Sequence, residues 1–193
     1  MQTQPTPDAL STSTNPMLHC CDTWHFLAGK GQVLPNLPKE PATWAAIASM
    51  DHELLRPLRE KFGAVVLTYG FAGPELVKAI LARATIEKPA NISPRGDQHA
   101  GHELNSWGNR ICKRDGIAVD LKVPRQNSLQ VAKWVQDENL PFDRIYLYDD
   151  ERPFHMSWHP QPIGQVIQMW VTKTGRLMPR VVVRGRSSAH GTG

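Results

Sequence analysis

The sequence predicts an α+β fold, with a small, mainly antiparallel sheet and flanking helices in a single domain. Helical and strand-like segments occur in runs, without the strict alternation that is typical of a parallel sheet. Short connections between the later strand segments indicate hairpins. The chain has 193 residues, which suits one domain because domains are commonly about 100 to 200 residues long.

The first half of the chain is predicted to be helix, strand and helix. Residues 43–62 carry apolar residues at helical spacing, and Pro57 marks either a kink or the first turn of a second helix. Gly63 ends this segment, and the run AVVLTYGF at 64–71 is typical of a buried strand. Residues 74–84 begin with a proline and continue as an amphipathic helix. Residues 87–97, with two prolines and a glycine, are predicted to be a loop.

The second half adds the remaining strands. The alternation in GIAVDLKV at 116–123 predicts a strand, and SLQVAKWVQDE, with Ser128 at its head, predicts a capped helix. FDRIYLYDD and RPFHMSW predict two strands of one hairpin. VIQMWVT and LMPRVVVRG, joined by KTGR, predict another hairpin.

The ends of the chain differ in composition from the predicted domain. Residues 1–16 are polar and rich in Ser, Thr and Pro, so we expect a disordered N-terminal tail, a domain at 17–186 and a flexible C-terminal tail at 187–193. The start lacks the basic and apolar regions of a secretory signal, and no apolar run reaches the roughly 20 residues that cross a bilayer. With three cysteines in no disulfide-like spacing, we expect a soluble, cytoplasmic protein without membrane contact.

The net charge of +4 permits contact with nucleic acid. The 22 basic residues are spread along the chain, although four arginines near the end make a basic stretch: Arg176, Arg180, Arg184 and Arg186. This stretch either meets phosphate or is simply solvated. A nucleic-acid-associated protein is therefore one hypothesis, and it rests on charge alone.

Two polar segments carry residues that bind metals. Residues 97–120 contain His99, His102, Cys112 and Asp120, and residues 151–159 contain His155 and His159. Zinc takes tetrahedral N, S or O ligands, and catalytic sites usually use three protein ligands. If Asp120 ends one strand and His155 lies in a neighbouring strand, the two side chains converge on one face. The alternative is that these are ordinary solvated polar residues.

Several segments resemble the zinc D-Ala-D-Ala carboxypeptidase and hedgehog-type metallopeptidase family. GIAVD at 116–120 is similar to the family's G-x-A-x-D strand with its Asp ligand, and FHMSW at 154–158 is similar to the last strand with its His ligand. LREKFGAVVLTYGF resembles the preceding helix and strand, so the similarity covers about residues 43–160. The resemblance implies a zinc ion held by Asp120 and His155.

The chain departs from this family at catalytic positions. Lys113 stands where the first His ligand is expected, so His99 takes that role, with residues 100–115 as an insertion and Cys112 as a further candidate ligand in its thiolate form. Arg152 replaces the acidic general base, which leaves Glu151 as the available catalytic carboxylate.

The resemblance also implies an arginine that holds an anionic group of the substrate. Ala72 stands at its position, so the candidate substrate-binding residues are Arg95, Arg110 and Arg114. The sequence thus favours a divergent zinc-dependent amide hydrolase, acting on a peptide or peptidoglycan-like ligand. The alternative is an inactive binding or accessory protein of the same fold with a structural metal.

Overall fold

The computed structural model describes residues 15–19, 34–87 and 97–183. Within them the helices are α1 (Pro16–His19), α2 (Pro41–Met50), α3 (Arg56–Phe62), α4 (Pro74–Glu87) and α5 (Ser128–Asp137). The strands are β1 (Val66–Tyr69), β2 (Ile117–Lys122), β3 (Phe142–Leu147), β4 (Phe154–Trp158), β5 (Gln165–Val171) and β6 (Leu177–Val183). None of these helices has the length and apolar character needed to span a membrane.

Helices α2 and α3 are joined by a π-helical turn at Asp51–Leu55. The N–H of Arg56 bonds back to the carbonyl of Asp51, one residue further than in an α-helix. Pro57 follows at once and has no N–H to continue the regular pattern, so the widened turn lies where the sequence predicts a kink or a second helix.

The six strands form one sheet in the order β1-β2-β4-β3-β5-β6. All neighbours are antiparallel except β3 and β5, which are parallel. The α+β class and both predicted hairpins, β3–β4 and β5–β6, are confirmed. The parallel pairing was not predicted, because it depends on β5 reaching the far edge of β3 and leaves no periodicity in the sequence.

One face of the central strands is the apolar core. Alternate residues of β2 and β4 point to it and are buried against the helical segments, since successive side chains in a strand face opposite sides. The fully buried members include Val119, Leu121, Phe154 and Met156, with Ile47, Met50, Leu54, Leu55 and Leu58 from the helices. The indole of Trp158 donates to Glu53 at 3.0 Å and ties this face to the π-helical turn. The other face is therefore left for polar residues.

Two local details correct the sequence interpretation. The side chain that caps α5 belongs to Asn127, which accepts from Leu129 N–H at 2.8 Å and Gln130 N–H at 3.2 Å, whereas Ser128 is already helical. Helix α4 extends to Glu87, three residues beyond the predicted end. The proposed tails at 1–16 and 187–193 lie outside the described residues, apart from Asn15 and Pro16 at the start of α1.

Candidate metal centre

Asp120 and His155 are directly opposite each other in the antiparallel pair of β2 and β4. The same register row continues to Tyr69 on β1 and Tyr146 on β3. Directly opposed residues share one face of a sheet, so all four side chains lie on the polar face. The predicted convergence of Asp120 and His155 is a consequence of this register.

His99 reaches the same point from a 3₁₀ turn at Gln98–Ala100. Its imidazole Nδ1 donates to the Gly70 carbonyl at 2.9 Å, and its own carbonyl accepts from Ala72 N–H at 3.0 Å. The turn is thereby attached to the segment that follows β1. The residue is 3% exposed, so its ring is held in one orientation.

The carboxylate of Asp120 contacts both histidines through the same oxygen. Oδ1 lies 3.3 Å from His99 Nε2 and 3.0 Å from His155 Nδ1. Because Nδ1 of His99 donates its proton to Gly70, Nε2 faces the carboxylate oxygen with a lone pair unless the ring takes up a second proton. Two acceptors attract each other only when a cation, either a proton or a metal ion, lies between them. The chemistry of the donor set therefore fits a metal.

The electrostatics of Asp120 agree with a cation-binding role. Burial raises the pKa of its carboxyl, but the charge of His99 and hydrogen bonds from both histidines lower it more, and the pKa ends well below its usual value. The carboxylate is ionised at neutral pH. Its side chain is 31% exposed, so the site opens to solvent on one side.

A second carboxylate, that of Asp97, belongs to the same cluster. Asp97, His99 and His155 each place one ligand atom within 4.8 Å of the others, a spacing that could hold a metal ion. Asp97 also caps the 3₁₀ turn, because its side chain accepts from His99 N–H at 3.2 Å. Asp120 is not in this group, but its Oδ1 contacts both histidines, so each of the two carboxylates lies close to both imidazoles.

Aromatic rings line this cluster. The Tyr69 ring packs edge-on against His99 with centroids 4.7 Å apart, and Tyr146 packs against His155 at 5.5 Å. Burial raises the pKa of Tyr146, so its phenol keeps its proton at neutral pH. Burial, together with the negative charge of Asp120, raises the pKa of Tyr148 to about 12. Both phenols are hydrogen-bond donors beside the site.

Cys112 lies in the same loop as the cluster but is not among the residues that share the 4.8 Å group. Its side chain is fully buried, and burial raises the pKa of the thiol, which disfavours the thiolate that zinc binds. The structure thus brings together three of the four predicted ligands, His99, Asp120 and His155, and groups Asp97 with the two histidines.

The predicted substrate-binding arginines are paired with acidic groups. Arg110 bonds to Asp115 and to the carbonyl of Arg114, and Arg114 bonds to the buried Asp143. Arg114 remains close enough to Tyr146 for its positive charge to lower the pKa of that phenol. Arg95 lies outside the described residues, so the assignment of an arginine to substrate stays a prediction.

Glu151 is exposed in the turn between β3 and β4, and its N–H donates to Asp149. Arg152, in the same turn, lies 3.8 Å from Asp149 and stacks over Tyr148. The turn borders a cleft of about 690 Å³, which is further lined by Gln168, Met169, Trp170 and Val171. Glu151 as the catalytic carboxylate stays a prediction.

His102 and His159 lie outside the cluster. His102 accepts the Gly116 N–H through Nε2 at 3.2 Å, and His159 accepts the N–H of Gln161 at 2.9 Å. His102 therefore supports the start of β2 from within the loop that precedes it. Both residues have local structural roles.

Asp97 and Tyr146 were missed as site residues by sequence reasoning. Asp97 lies two residues before His99, a spacing that favours a capped turn and so suggests that both side chains meet near one point. Tyr146 carries no such signal, because it joins the site only through the pairing of β3 with β4. Comparisons with models of protein families, with curated proteins and with solved structures found no match to this chain.

Proposed function

We propose that this protein is a zinc-dependent hydrolase of amide bonds, with His99, Asp120 and His155 as the metal ligands and a fold of the D-Ala-D-Ala carboxypeptidase and hedgehog type. One observation carries the proposal: a single carboxylate oxygen contacts an imidazole nitrogen of each histidine. Two histidines and one carboxylate are the ligand set of several catalytic zinc sites. When bound, zinc supplies Lewis acidity and lowers the pKa of a bound water to about 7.

The surrounding residues of this chain have defined tasks in such a reaction. The Gly70 carbonyl fixes the His99 ring so that Nε2 faces the centre, as partners of ligand histidines commonly do. The phenol of Tyr146, protonated and on the same row as His155, is placed to donate a hydrogen bond to the substrate carbonyl oxygen as negative charge develops there. Glu151 is the proposed proton acceptor.

The cleft beside the turn of Glu151 is the proposed path of the peptide substrate. Tyr148 lines this cleft and lies close enough to the centre for the charge of Asp120 to raise the pKa of its phenol. Aromatic and apolar side chains there, Tyr148, Met169 and Trp170, offer contact area to peptide side chains. We therefore expect a peptide or peptidoglycan-like ligand.

Metal analysis of the purified protein tests the first part of this proposal. We expect about one zinc ion per chain, and its loss in Asp120→Asn. Asp115→Asn is the matched control, because Asp115 pairs with Arg110 and His102 and is not a proposed ligand. Zinc content that is equal in both variants would refute the assignment of the ligands.

Hydrolysis tests the second part. Release of new amino groups from a peptide and muropeptide panel should require zinc and fall by at least about a hundredfold in Glu151→Gln, the usual scale for loss of a proton acceptor. Arg152, which occupies the family's base position and pairs with Asp149, favours a second candidate: a binding protein with a structural metal. Full zinc occupancy without turnover of any panel member would support that candidate.

A further inference from the structure

Asp97 is held in place independently of any metal. It is the N-cap of the turn Gln98–Ala100, with extended backbone at φ −82° and ψ 142°, and its Oδ1 accepts from the N–H of His99. A capping carboxylate of this kind has one oxygen engaged with the backbone, and its second oxygen keeps its lone pairs. The side chain of His99 and the carboxylate of Asp97 are consequently positioned by the same short turn.

The two carboxylates of the cluster share both imidazoles. Asp120 lies 3.0 and 3.3 Å from the histidine nitrogens, and Asp97 places a ligand atom within 4.8 Å of both histidines. Ligand atoms about 2.1 Å from a metal are separated by about 3.4 Å in a tetrahedron, and by about 3.0 or 4.2 Å in an octahedron. The spacing of Asp97 from the histidines needs at most a small movement to reach either geometry.

The negative charge of Asp97 acts on three other side chains. It raises the pKa of the Tyr146 and Tyr148 phenols on the β3 side and that of the Cys112 thiol in the loop, in each case after the larger effect of burial. Tyr146 lies in β3, Tyr148 directly follows that strand, and Cys112 lies in the loop before β2. The carboxylate therefore lies within electrostatic reach of β3 as well as within 4.8 Å of the two histidines.

We infer that Asp97 is a fourth protein ligand, so that the centre has two imidazole and two carboxylate donors. The inference rests on the proposed function only in that His99, Asp120 and His155 bind a metal. A second carboxylate adds negative charge and a hard oxygen donor. This change increases the affinity for ions such as Mn²⁺ by more than it increases the affinity for zinc. It also suits a coordination number above four, in which a position for water or substrate remains open.

Two substitutions separate ligation from capping. Asp97→Asn keeps a good N-cap side chain but loses the charged donor, whereas Asp97→Ala loses both. The probes are Zn²⁺ and Mn²⁺ alone, with affinity measured by competition with a chromophoric chelator for Zn²⁺ and by electron paramagnetic resonance of the free ion for Mn²⁺. Asp115→Asn, in the same loop, is the control.

We expect both Asp97 variants to bind Zn²⁺ at least about tenfold more weakly than the parent, because even outer partners of metal ligands contribute about 10- to 100-fold. The loss of affinity should be larger for Mn²⁺ than for Zn²⁺. Wild-type affinity in Asp97→Asn with weakened binding in Asp97→Ala would show that Asp97 only caps the turn and would overturn the inference. If Asp120→Asn also left the affinity for both metals unchanged, the proposed function itself would fail.

Discussion

The two faces of strands β2 and β4 have opposite characters although they are built from adjacent residues. Val119 and Met156 are fully buried in the apolar core, and Asp120 and His155, one position along each strand, form the candidate metal centre. Val119 is paired with Met156 in the same register that pairs Asp120 with His155. One register therefore specifies both the core and the site.

We call the side of the sheet with Val119 and Met156 the core face and the side with Asp120 and His155 the metal face. The two faces stabilise the molecule in different ways. The core face removes apolar side chains from water against α2, α3 and α5, and this effect needs no ligand. The metal face instead places a carboxylate and imidazoles together, and this arrangement is stabilised most when a cation is bound. Substitutions on the core face should therefore change stability, and those on the metal face should change metal binding.

The largest expected effect is at Gly116, which directly precedes β2 and lies against the backbone at the end of β4. A Cβ there would lie 1.8 Å from the carbonyl oxygen of Trp158, and φ is +87°. We expect Gly116→Ala to lower the free energy of unfolding by more than about 4 kcal/mol, measured by urea denaturation and circular dichroism. Gly108→Ala is the control: its φ is +74° but no atom lies within 4 Å, so only about 1 kcal/mol of backbone strain is expected. Equal losses would exclude the clash as the cause.

On the core face, Met156→Ala removes a fully buried side chain. We expect a loss of about 2 to 5 kcal/mol in the free energy of unfolding, because burial is lost and a cavity remains. Zinc affinity of the folded fraction should stay near that of the parent protein. A loss of zinc binding as large as that of a ligand variant would show that the two faces are not independent.

On the metal face, His155→Ala is the matched substitution one residue away. In metal-free protein we expect the free energy of unfolding to fall by about 1 kcal/mol, the contribution of one hydrogen bond. Zinc at a hundred times its dissociation constant should stabilise the parent by about 2.7 kcal/mol but leave this variant unchanged. Urea titrations with and without zinc provide the measurement, and equal stabilisation of both proteins would remove His155 from the site.

The smallest effect concerns the pH dependence of stability through His102. Burial, and then the charge of Arg110, lowers the pKa of His102 below its ordinary 6.5. As pH falls below 6.5, the unfolded chain binds a proton that the folded protein resists, so the stability that is present above pH 6.5 is lost towards the folded pKa. His102→Gln should weaken this pH dependence in metal-free protein. If the free energy of unfolding changed with pH in the same way in His102→Gln and in the parent protein, the prediction would be wrong.

Much of the fold follows from local pattern. Alternation in GIAVDLKV and the adjacent runs FDRIYLYDD and RPFHMSW predicted β2, β3 and β4, and these segments contain Asp120 and His155. The pairing of β3 with β5 was not predictable in this way, since strand neighbours separated by another strand are selected by packing. The roles of Glu151 and the arginines stay predictions.

The sequence by itself determined which residues could bind a metal and which strands carry two of them, because side-chain chemistry and the two-residue period of a strand are local properties. Only the tertiary structure decided which candidates meet. Contacts over long sequence separation placed His99 beside Asp120 and grouped Asp97 and His99 with His155, a group that does not include the buried Cys112. The physical reason is that the turn at Gln98–Ala100 is positioned by hydrogen bonds to distant backbone, such as that from His99 to Gly70, and no periodic pattern encodes them.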